Sequence, residues 1–183
     1  MKIKNVGIFG GADTSHNSKL YREVRLVAKK LAESGYKIIN GGGPGVMLAA
    51  TSGAESADGD TLSVLLDIKD APGFEGANTK NKTDFSIRTN NYLDRMKGLI
   101  DNSDCFVIFN GGTGTLSEFG TTWCIARLYY GNHKPLILYG SFWHEIVEVI
   151  ARNMMIRGTE MQVFKIVETP EEVLKAIRDF TKR

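Results

Sequence analysis

The stretch NGGTGTLSE, residues 110–118, combines a glycine-rich loop with a carboxylate. It follows the apolar run DCFVIF and precedes a segment with helical character. Glycines let backbone N–H groups approach a ligand closely, and the N-terminus of a helix favours an anion. Glu118 conflicts with this arrangement, because its negative charge should repel the anion that the loop attracts. The ligand that binds here has to reconcile the two.

Two further glycine-rich loops occupy similar positions in the chain. GGADTS follows the first predicted strand and GGGPG follows the second, whereas GGTG follows the fifth. In parallel α/β sheets, ligands bind beyond the carboxyl ends of the strands, so the three loops should meet at one edge. One such loop could be a structural turn, but three that converge favour a phosphate-bearing ligand.

Short apolar runs alternate with amphipathic segments along the chain. In LYREVRLVAKKLAES, for example, apolar side chains recur on one helical face, and Gly35 follows where a helix C-cap belongs. The predicted strands are residues 4–9, 37–40, 61–66, 84–87, 105–109, 136–139 and 163–166. The predicted helices are residues 18–33, 44–57, 90–101, 116–130, 142–153 and 170–181.

This alternation predicts an α/β fold. We expect a single nucleotide-binding, Rossmann-like domain over residues 1–183, doubly wound, with a mostly parallel sheet and helices on both faces. The strands are continuous apolar runs such as FVIF and LILY, as expected of a sheet that is covered on both faces. The long irregular stretch 67–84 is predicted to be a lid or a substrate loop.

Composition and charge exclude several classes of protein. The 183 residues are 42% hydrophobic and carry a formal net charge of +2, which predicts an ordinary globular domain and does not favour nucleic acid as a partner. No apolar run approaches the length of a transmembrane helix and no secretory leader is predicted, so no membrane partner is expected. Cys105 and Cys124 form no CxxC pair, which fits a reducing cytosol and predicts a cytoplasmic protein.

Common cofactor and metal motifs are missing. The dinucleotide fingerprint GxGxxG fails at all three glycine loops, and neither a Walker-type GxxxxGK[ST] nor a nucleophile elbow GxSxG occurs. His16, His133 and His144 show no metal-ligand spacing with one another or with cysteine. We therefore expect neither a cofactor nor a metal.

Three segments together resemble the LOG (Lonely Guy) family, long labelled "possible lysine decarboxylase". They are GIFGG, GGGPGVMLAA and RMKGLIDNSDCFVIFNGGTGTLSE. The most specific element is the family motif PGGxGTxxE, here NGGTGTLSE, and the second is GGGxxG[LIV]M, here GGGPGVM. Asn110 departs from the family's proline, and Met96 follows Arg95 where the family has a lysine. Lys97 is displaced by one position, which turns a helical side chain by about 100°.

The resemblance implies a nucleoside 5′-monophosphate phosphoribohydrolase, which hydrolyses the N-glycosidic bond of a purine or cytokinin-type nucleotide to free base and ribose 5-phosphate. Arg95 and Glu118 match the family's catalytic pair. The phosphate would lie on the N–H groups of residues 112–115, with the ribose beyond it, so Glu118 would face the anomeric carbon, where positive charge develops. Arg95 would pair with Glu118 or hold the nucleotide. The implied nucleotide- and phosphate-binding residues are Gly10, Gly11, Gly43, Gly45, Met47, Gly111, Gly112, Thr113, Gly114 and Thr115.

A function of another class also stays open. A non-catalytic protein of the same superfamily could bind or carry a nucleotide or the molybdenum cofactor, a pterin phosphate, and the departures at Met96 and Asn110 favour it. Amino-acid decarboxylation is rejected, because no residue set marks a pyridoxal-phosphate lysine. The resemblance further implies a homodimer or a higher homo-oligomer, formed in part by the helix after the motif. Base recognition is expected from residues 67–84 and Met47.

Structural explanations compete with functional ones at several positions. Glu118 could serve as a partner of the helix dipole, and Arg95 could be a surface residue of an amphipathic helix. Asp13, Thr14 and Ser15 could cap the first helix or contact the ligand.

Overall fold

The computed structural model describes residues 2–68, 74 and 76–181, which form one seven-stranded sheet and six α-helices. The strands are β1 (Asn5–Phe9), β2 (Lys37–Asn40), β3 (Thr61–Leu66), β4 (Phe85–Thr89), β5 (Cys105–Ile108), β6 (Leu136–Tyr139) and β7 (Phe164–Val167). The helices are α1 (Lys19–Glu33), α2 (Val46–Glu55), α3 (Tyr92–Asn102), α4 (Thr113–Leu128), α5 (Phe142–Asn153) and α6 (Pro170–Thr181). A short 3-10 helix, Gly158–Gln162, is an element that the sequence patterns do not predict.

The strand order is β4-β3-β2-β1-β5-β6-β7, and all the described pairs are parallel. The predicted doubly wound α/β fold is confirmed, and the described sheet is parallel throughout. The chain moves outward from β1 to β4 and then returns to place β5 beside β1, so the winding direction reverses between these two strands. At such a switch point an α/β sheet leaves a crevice for ligands beyond the carboxyl ends of the strands.

Helices cover both faces of the sheet, as predicted. On one face, α1, α2 and α6 contribute buried residues such as Val24, Ala50 and Ile177. On the other face, α3 and α5 contribute Leu99 and Trp143 to a second apolar cluster that also includes α4. None of the helices in the described part of the chain is both long and apolar enough to cross a membrane.

The ends of α1 show that local sequence signals fix helix boundaries here. The Ser18 hydroxyl accepts the Tyr21 N–H at 3.1 Å and so caps the N-terminus. Gly35 has a φ of 82°, and the N–H groups of Gly35 and Tyr36 bond to carbonyls of the last turn. This Schellman arrangement confirms the predicted C-cap.

Helix α4 begins earlier than the predicted residue 116. Gly112 is its N-cap and Thr113 its first residue, so the glycine-threonine part of the motif forms the first helical turn. The Leu116 N–H donates to the Gly112 carbonyl at 3.0 Å, which closes that turn. The glycine-rich loop and the helix N-terminus are therefore one structural feature.

Segment 67–84, predicted to be a lid or a substrate loop, is described only in part. Residues 69–73 and 75 lie outside the described residues. Phe74 and residues 76–84 are described. The ring of Phe74 lies near the guanidinium of Arg95 on α3, and Asn78 and Asn81 contact the loop that follows β2.

Candidate functional site

A cavity of about 520 Å³ lies at the switch point between β1 and β5. Its walls are the loop after β1, the loop after β5, the first turns of α4, and single side chains from α1, α2 and α3. The lining residues are Gly10, Gly11, Ala12, Asp13, Thr14, Leu20, Met47, Arg95, Asn110, Gly111, Gly112, Thr113, Gly114, Thr115 and Glu118. The structure thus brings together all the predicted site residues except Gly43 and Gly45.

The lining includes residues that sequence reasoning left undecided or missed. Asp13 and Thr14 line the cavity, and Ser18 caps α1, so neither Asp13 nor Thr14 is the cap of this helix. The Thr14 hydroxyl donates to the Gly11 carbonyl at 3.0 Å and fixes this turn. Ser15 is outside the lining. Ala12 and Leu20 carry no signal in the sequence that could have identified them.

Direct hydrogen bonds join the three glycine loops. The Gly11 N–H donates to the Asn110 carbonyl at 2.9 Å, and the Gly11 carbonyl accepts the Val46 N–H at 3.0 Å. Gly45 has a φ of 61°, and a Cβ on it would lie 2.3 Å from the Ala12 carbonyl oxygen. Only glycine allows this approach, so Gly45 acts by packing the loops together rather than by lining the cavity.

Gly43 does not line the cavity, and its backbone bonds to Met47 and Asn81 instead. Its N–H donates to the Met47 sulfur at 3.3 Å, and its carbonyl accepts a side-chain N–H of Asn81 at 2.8 Å. Both backbone polar groups of Gly43 are therefore engaged within the protein. Met47, in contrast, lines the cavity as predicted.

The N-terminus of α4 provides an anion-binding surface. Gly112, the N-cap, has no side chain that could bond to the first-turn N–H groups. Those groups have no partners within a helix, and residues 110–114 are exposed. The positive end of the helix dipole points the same way. The surface therefore suits a phosphate group, with Thr113 and Thr115 beside it.

Arg95 is buried, with 7% of its surface exposed, although it carries a charge. Its Nε donates to the Val64 carbonyl at 3.1 Å and its Nη2 to the Gly41 carbonyl at 3.1 Å. No ion pair joins Arg95 to Glu118 among the residues that the structure describes. Backbone carbonyls of β3 and of the loop after β2 bind two nitrogens of the guanidinium.

Gly41 makes room for this guanidinium. A Cβ on Gly41 would lie 1.8 Å from the Arg95 Nη2, so any side chain at this position would displace the arginine. Gly41 is absent from the predicted site residues. The run of three glycines, residues 41–43, indicated a special loop. The sequence does not reveal that the first of them contacts an arginine 54 positions away.

Glu118 is also buried, with 9% of its surface exposed, and lies on the inner face of α4 with Thr115 and Thr122. Since α4 begins at Thr113, Glu118 lies beyond the first helical turn, where the dipole effect of a helix is strongest. The position therefore does not suit a simple dipole partner. It suits a carboxylate that is directed into the cavity beyond the anion-binding turn.

The LOG family has a lysine at the position of Met96, and Lys97 does not take its place. Lys97 is exposed and forms an ion pair with Asp101 on the outer surface of α3, as the one-residue displacement predicts. Hydrogen bonding to Asp101 raises the pKa of Lys97. Met96 is buried. Arg95 is thus the one cationic side chain among the described lining residues, against two carboxylates, Asp13 and Glu118.

Metal ligands are not gathered at this site. Among residues 2–68, 74 and 76–181, no group of three or more His, Cys, Asp or Glu side chains is placed to hold a metal ion.

Comparisons with known proteins agree with the fold and the motifs. The model of the SLOG cluster4 family matches residues 3–174. An uncharacterized protein of Archaeoglobus fulgidus is 31% identical over 140 residues, which cover 76% of this chain and 87% of the relative. The cytokinin riboside 5′-monophosphate phosphoribohydrolase of Mycobacterium tuberculosis is 27% identical over 181 residues, which cover 93% of this chain and 91% of that enzyme.

The fold also matches a solved structure with a different described role. The molybdenum cofactor binding protein of Rippkaea orientalis superimposes with a TM-score of 0.71 at 22% identity, covering 99% of both chains. At this identity the match concerns the fold.

Proposed function

The chain belongs to the SLOG cluster4 family, and we propose that it hydrolyses the N-glycosidic bond of a nucleoside 5′-monophosphate of purine or cytokinin type. The observation that carries this proposal is the arrangement on α4. An uncapped, exposed helix N-terminus and a buried carboxylate, Glu118, line the same cavity. The phosphoribohydrolase of Mycobacterium tuberculosis supports the choice of substrate class through its similarity over most of both chains.

The geometry of α4 separates the two roles that conflict in the sequence. Glu118 lies three residues beyond Thr115, which is about 4.5 Å along the helix axis. A phosphate on the N–H groups of residues 112–115 would leave the ribose to extend toward Glu118. The carboxylate then acts on the sugar rather than on the phosphate, and the repulsion between the two anions is relieved by their separation.

In the reaction, the oxygen of a water molecule attacks C1′ and the bond from C1′ to the base nitrogen breaks. The base leaves with the bonding electrons and takes up a proton, and the other product is ribose 5-phosphate. Positive charge develops on the sugar in the transition state. Glu118 stabilises that charge and accepts a proton from the attacking water. Arg95 holds the nucleotide through its Nη1, since its Nε and Nη2 are bound to carbonyls.

A binding or carrier protein is the second candidate. It is favoured by the single cationic side chain among the described lining residues and by the buried Met96 in place of the family's lysine. Its ligand would be a nucleotide or a pterin phosphate such as the molybdenum cofactor. The fold match to the molybdenum cofactor binding protein of Rippkaea orientalis is consistent with this candidate.

Release of ribose 5-phosphate from a panel of nucleoside monophosphates distinguishes the two. We expect release by the wild type and a decrease of about 1,000-fold in Glu118→Gln, which keeps the size of the side chain and removes its charge. Glu145→Gln, an exposed acid on α5, is the matched control and should retain full activity. No release from any monophosphate by a folded protein that binds adenosine 5′-monophosphate (AMP) would favour the carrier function.

We also propose that the protein forms a homodimer through the outer face of α4. An apolar groove of about 400 Å³ runs beside this helix, and Leu116, next to the anion-binding turn, is 52% exposed. Leu116→Asp should convert the dimer to a monomer in sedimentation analysis at about 10 μM, because it places a charge in an apolar interface. Leu93→Asp is the control, since Leu93 is a more exposed leucine on α3. A wild-type monomer at that concentration would contradict the proposal.

A cytoplasmic location is proposed on the state of the cysteines. Cys105 is buried and Cys124 is exposed, and both are free thiols. Burial raises the pKa of the Cys105 thiol, so this side chain behaves as an inert apolar group. Free thiols without a disulfide are typical of a reducing compartment.

A further inference from the structure

Residues 76–84, which we call the strap, lie against the glycine loop that follows β2. The Asn78 N–H donates to the Gly42 carbonyl at 3.0 Å, and the Asn81 side chain donates from Nδ2 to the Gly43 carbonyl at 2.8 Å. Within the strap, the Asn81 N–H bonds to the Asn78 carbonyl at 2.9 Å. Two successive carbonyls of the glycine loop are therefore held by the strap.

The other end of the strap is fixed to β3. The Asp84 carboxylate accepts the Thr61 N–H at 2.8 Å and the Thr61 hydroxyl at 2.7 Å. The hydroxyls of Thr83 and Ser63 bond at 2.8 Å. The strap is therefore anchored at both ends, to the glycine loop after β2 and to β3.

A chain of contacts leads from the strap to Arg95. Asn81 holds the carbonyl of Gly43, and the N–H of Gly43 donates to the Met47 sulfur at 3.3 Å. The same sulfur lies 3.7 Å from Nη2 of Arg95 and accepts from it. Phe74, just before the strap, places its ring 5.9 Å from the Arg95 guanidinium carbon. The nitrogen Nη1 makes no hydrogen bond with the described residues.

Burial of the Asn81 amide at this position lowers the stability of the fold. Its Oδ1 is buried and has no hydrogen-bond partner among the described residues. An unsatisfied buried acceptor costs free energy that an apolar side chain would avoid. The amide does form one hydrogen bond, from Nδ2 to the Gly43 carbonyl. Gly43 in turn contacts the Met47 sulfur, which contacts the Arg95 guanidinium.

We propose that Asn81 is a positioning residue for Arg95. By fixing Gly43, and through it Met47, the Asn81 amide sets the guanidinium so that Nη1 is presented to an anionic group in the cavity. The site then includes a segment that lies outside the cavity lining. The inference rests on the proposed role of Arg95 in holding the ligand, and it does not require hydrolysis.

A double-mutant cycle on AMP binding, measured by calorimetry, tests the coupling. Asn81→Ala should weaken binding about tenfold in the wild-type background and have no further effect in Arg95→Ala. Asn81→Asp, which has nearly the same shape but no N–H to donate, should behave like Asn81→Ala. Asn78→Ala is the matched control: it removes a side-chain bond to the Lys80 N–H inside the strap and leaves the bond to Gly42 in place. Equal losses in both backgrounds would overturn the proposal.

A second readout needs no ligand and separates this inference from the proposed function. Hydrogen exchange of the Arg95 Nε–H can be followed by NMR, with its signal assigned by its loss in Arg95→Lys. We expect exchange about tenfold faster in Asn81→Ala and unchanged in Asn78→Ala, because only the former releases the guanidinium from its place. Unchanged exchange in Asn81→Ala would overturn the proposal. A wild type that binds no AMP would contradict the proposed function and leave this measurement to decide the role of Asn81.

Discussion

The two sides of the cavity are built in opposite ways. On the side of α4, residues 110–114 are exposed, and the first-turn N–H groups have no partners within the helix. On the side of β2, polar side chains are buried and engaged. Asn40, for example, is fully buried, donates to the Thr51 hydroxyl at 2.9 Å and accepts the Gly42 N–H at 2.7 Å.

The difference suggests a division of work. We call the side of α4 the open side and the side of β2 the closed side. The open side offers N–H donors that have no partner until a ligand binds, so it contributes affinity for a phosphate without a cationic side chain. The closed side is arranged before any ligand binds, and it fixes the direction of one charged group, Arg95. Little free energy is needed to reorient preorganised groups of this kind when the ligand binds. Substitutions should therefore have different effects on the two sides.

The largest effect is expected from adding a methyl group on the closed side. Gly41→Ala would place a Cβ 1.8 Å from the Arg95 Nη2 and force the guanidinium from its two carbonyls. We expect AMP binding to weaken about 100-fold in calorimetry, close to the effect of removing Arg95. Gly43→Ala is the comparison in the same loop. Its Cβ would displace the flexible Met47 side chain and not the guanidinium itself, so its effect should be smaller, about the tenfold expected of Asn81→Ala. Near-normal affinity in Gly41→Ala would refute the assignment of Arg95.

An intermediate effect is expected from the same change on the open side. A Cβ on Gly114 would point into open space, and Gly114 lies within the first turn of α4. Gly114→Ala should keep or raise the melting temperature, since alanine favours a helix by about 0.5–1 kcal/mol over glycine. AMP binding should nevertheless weaken about tenfold, because the methyl group hinders a phosphate on the N–H groups. Unchanged affinity would place the phosphate elsewhere.

The smallest effect is expected at the far anchor of the strap. Hydrogen bonds from the Thr61 side chain and then from its N–H lower the pKa of Asp84 in the folded protein. A lowered carboxyl pKa stabilises the fold at pH values above the ordinary aspartate range, and this contribution is lost as the pH falls through the folded value. Asp84→Asn should therefore destabilise the protein by about 0.5 kcal/mol at most at pH 7. In chemical denaturation the difference from the wild type should shrink as the pH falls toward 3. A constant difference would show that the charge of Asp84 has no part.

Much of the open side could be predicted from the sequence, because its function depends on neighbouring residues. The motif from Asn110 to Glu118 contains the loop, the helix start and the carboxylate within nine positions. Alternating strands and helices placed the three glycine loops at one edge, and the structure joins them there. Even here the predicted start of α4, residue 116, lies three residues after the observed start at Thr113. Glycine and threonine are poor helix formers, so the first turn carries no helical signal in the sequence.

The closed side could not be predicted in the same way, because it depends on contacts between distant segments. Arg95 was identified by resemblance, but its partners are carbonyls of Gly41 and Val64, and carbonyls carry no sequence signal. The roles of Gly45 and Asn81 likewise arise from backbone approach and from a side-chain bond to a glycine carbonyl. Such contacts become visible only once the strands are placed side by side.

The central claim is that one helix, α4, binds the phosphate at its N-terminus and presents Glu118 to the sugar. A crystal structure of Glu118→Gln with bound AMP tests it most directly, because the variant should bind without turnover. The account predicts phosphate oxygens within hydrogen-bond distance of the N–H groups of residues 112–115 and the anomeric carbon facing the side chain at position 118. A nucleotide bound in the reverse direction, with its phosphate on Arg95 and its base over the N-terminus of α4, would contradict the account.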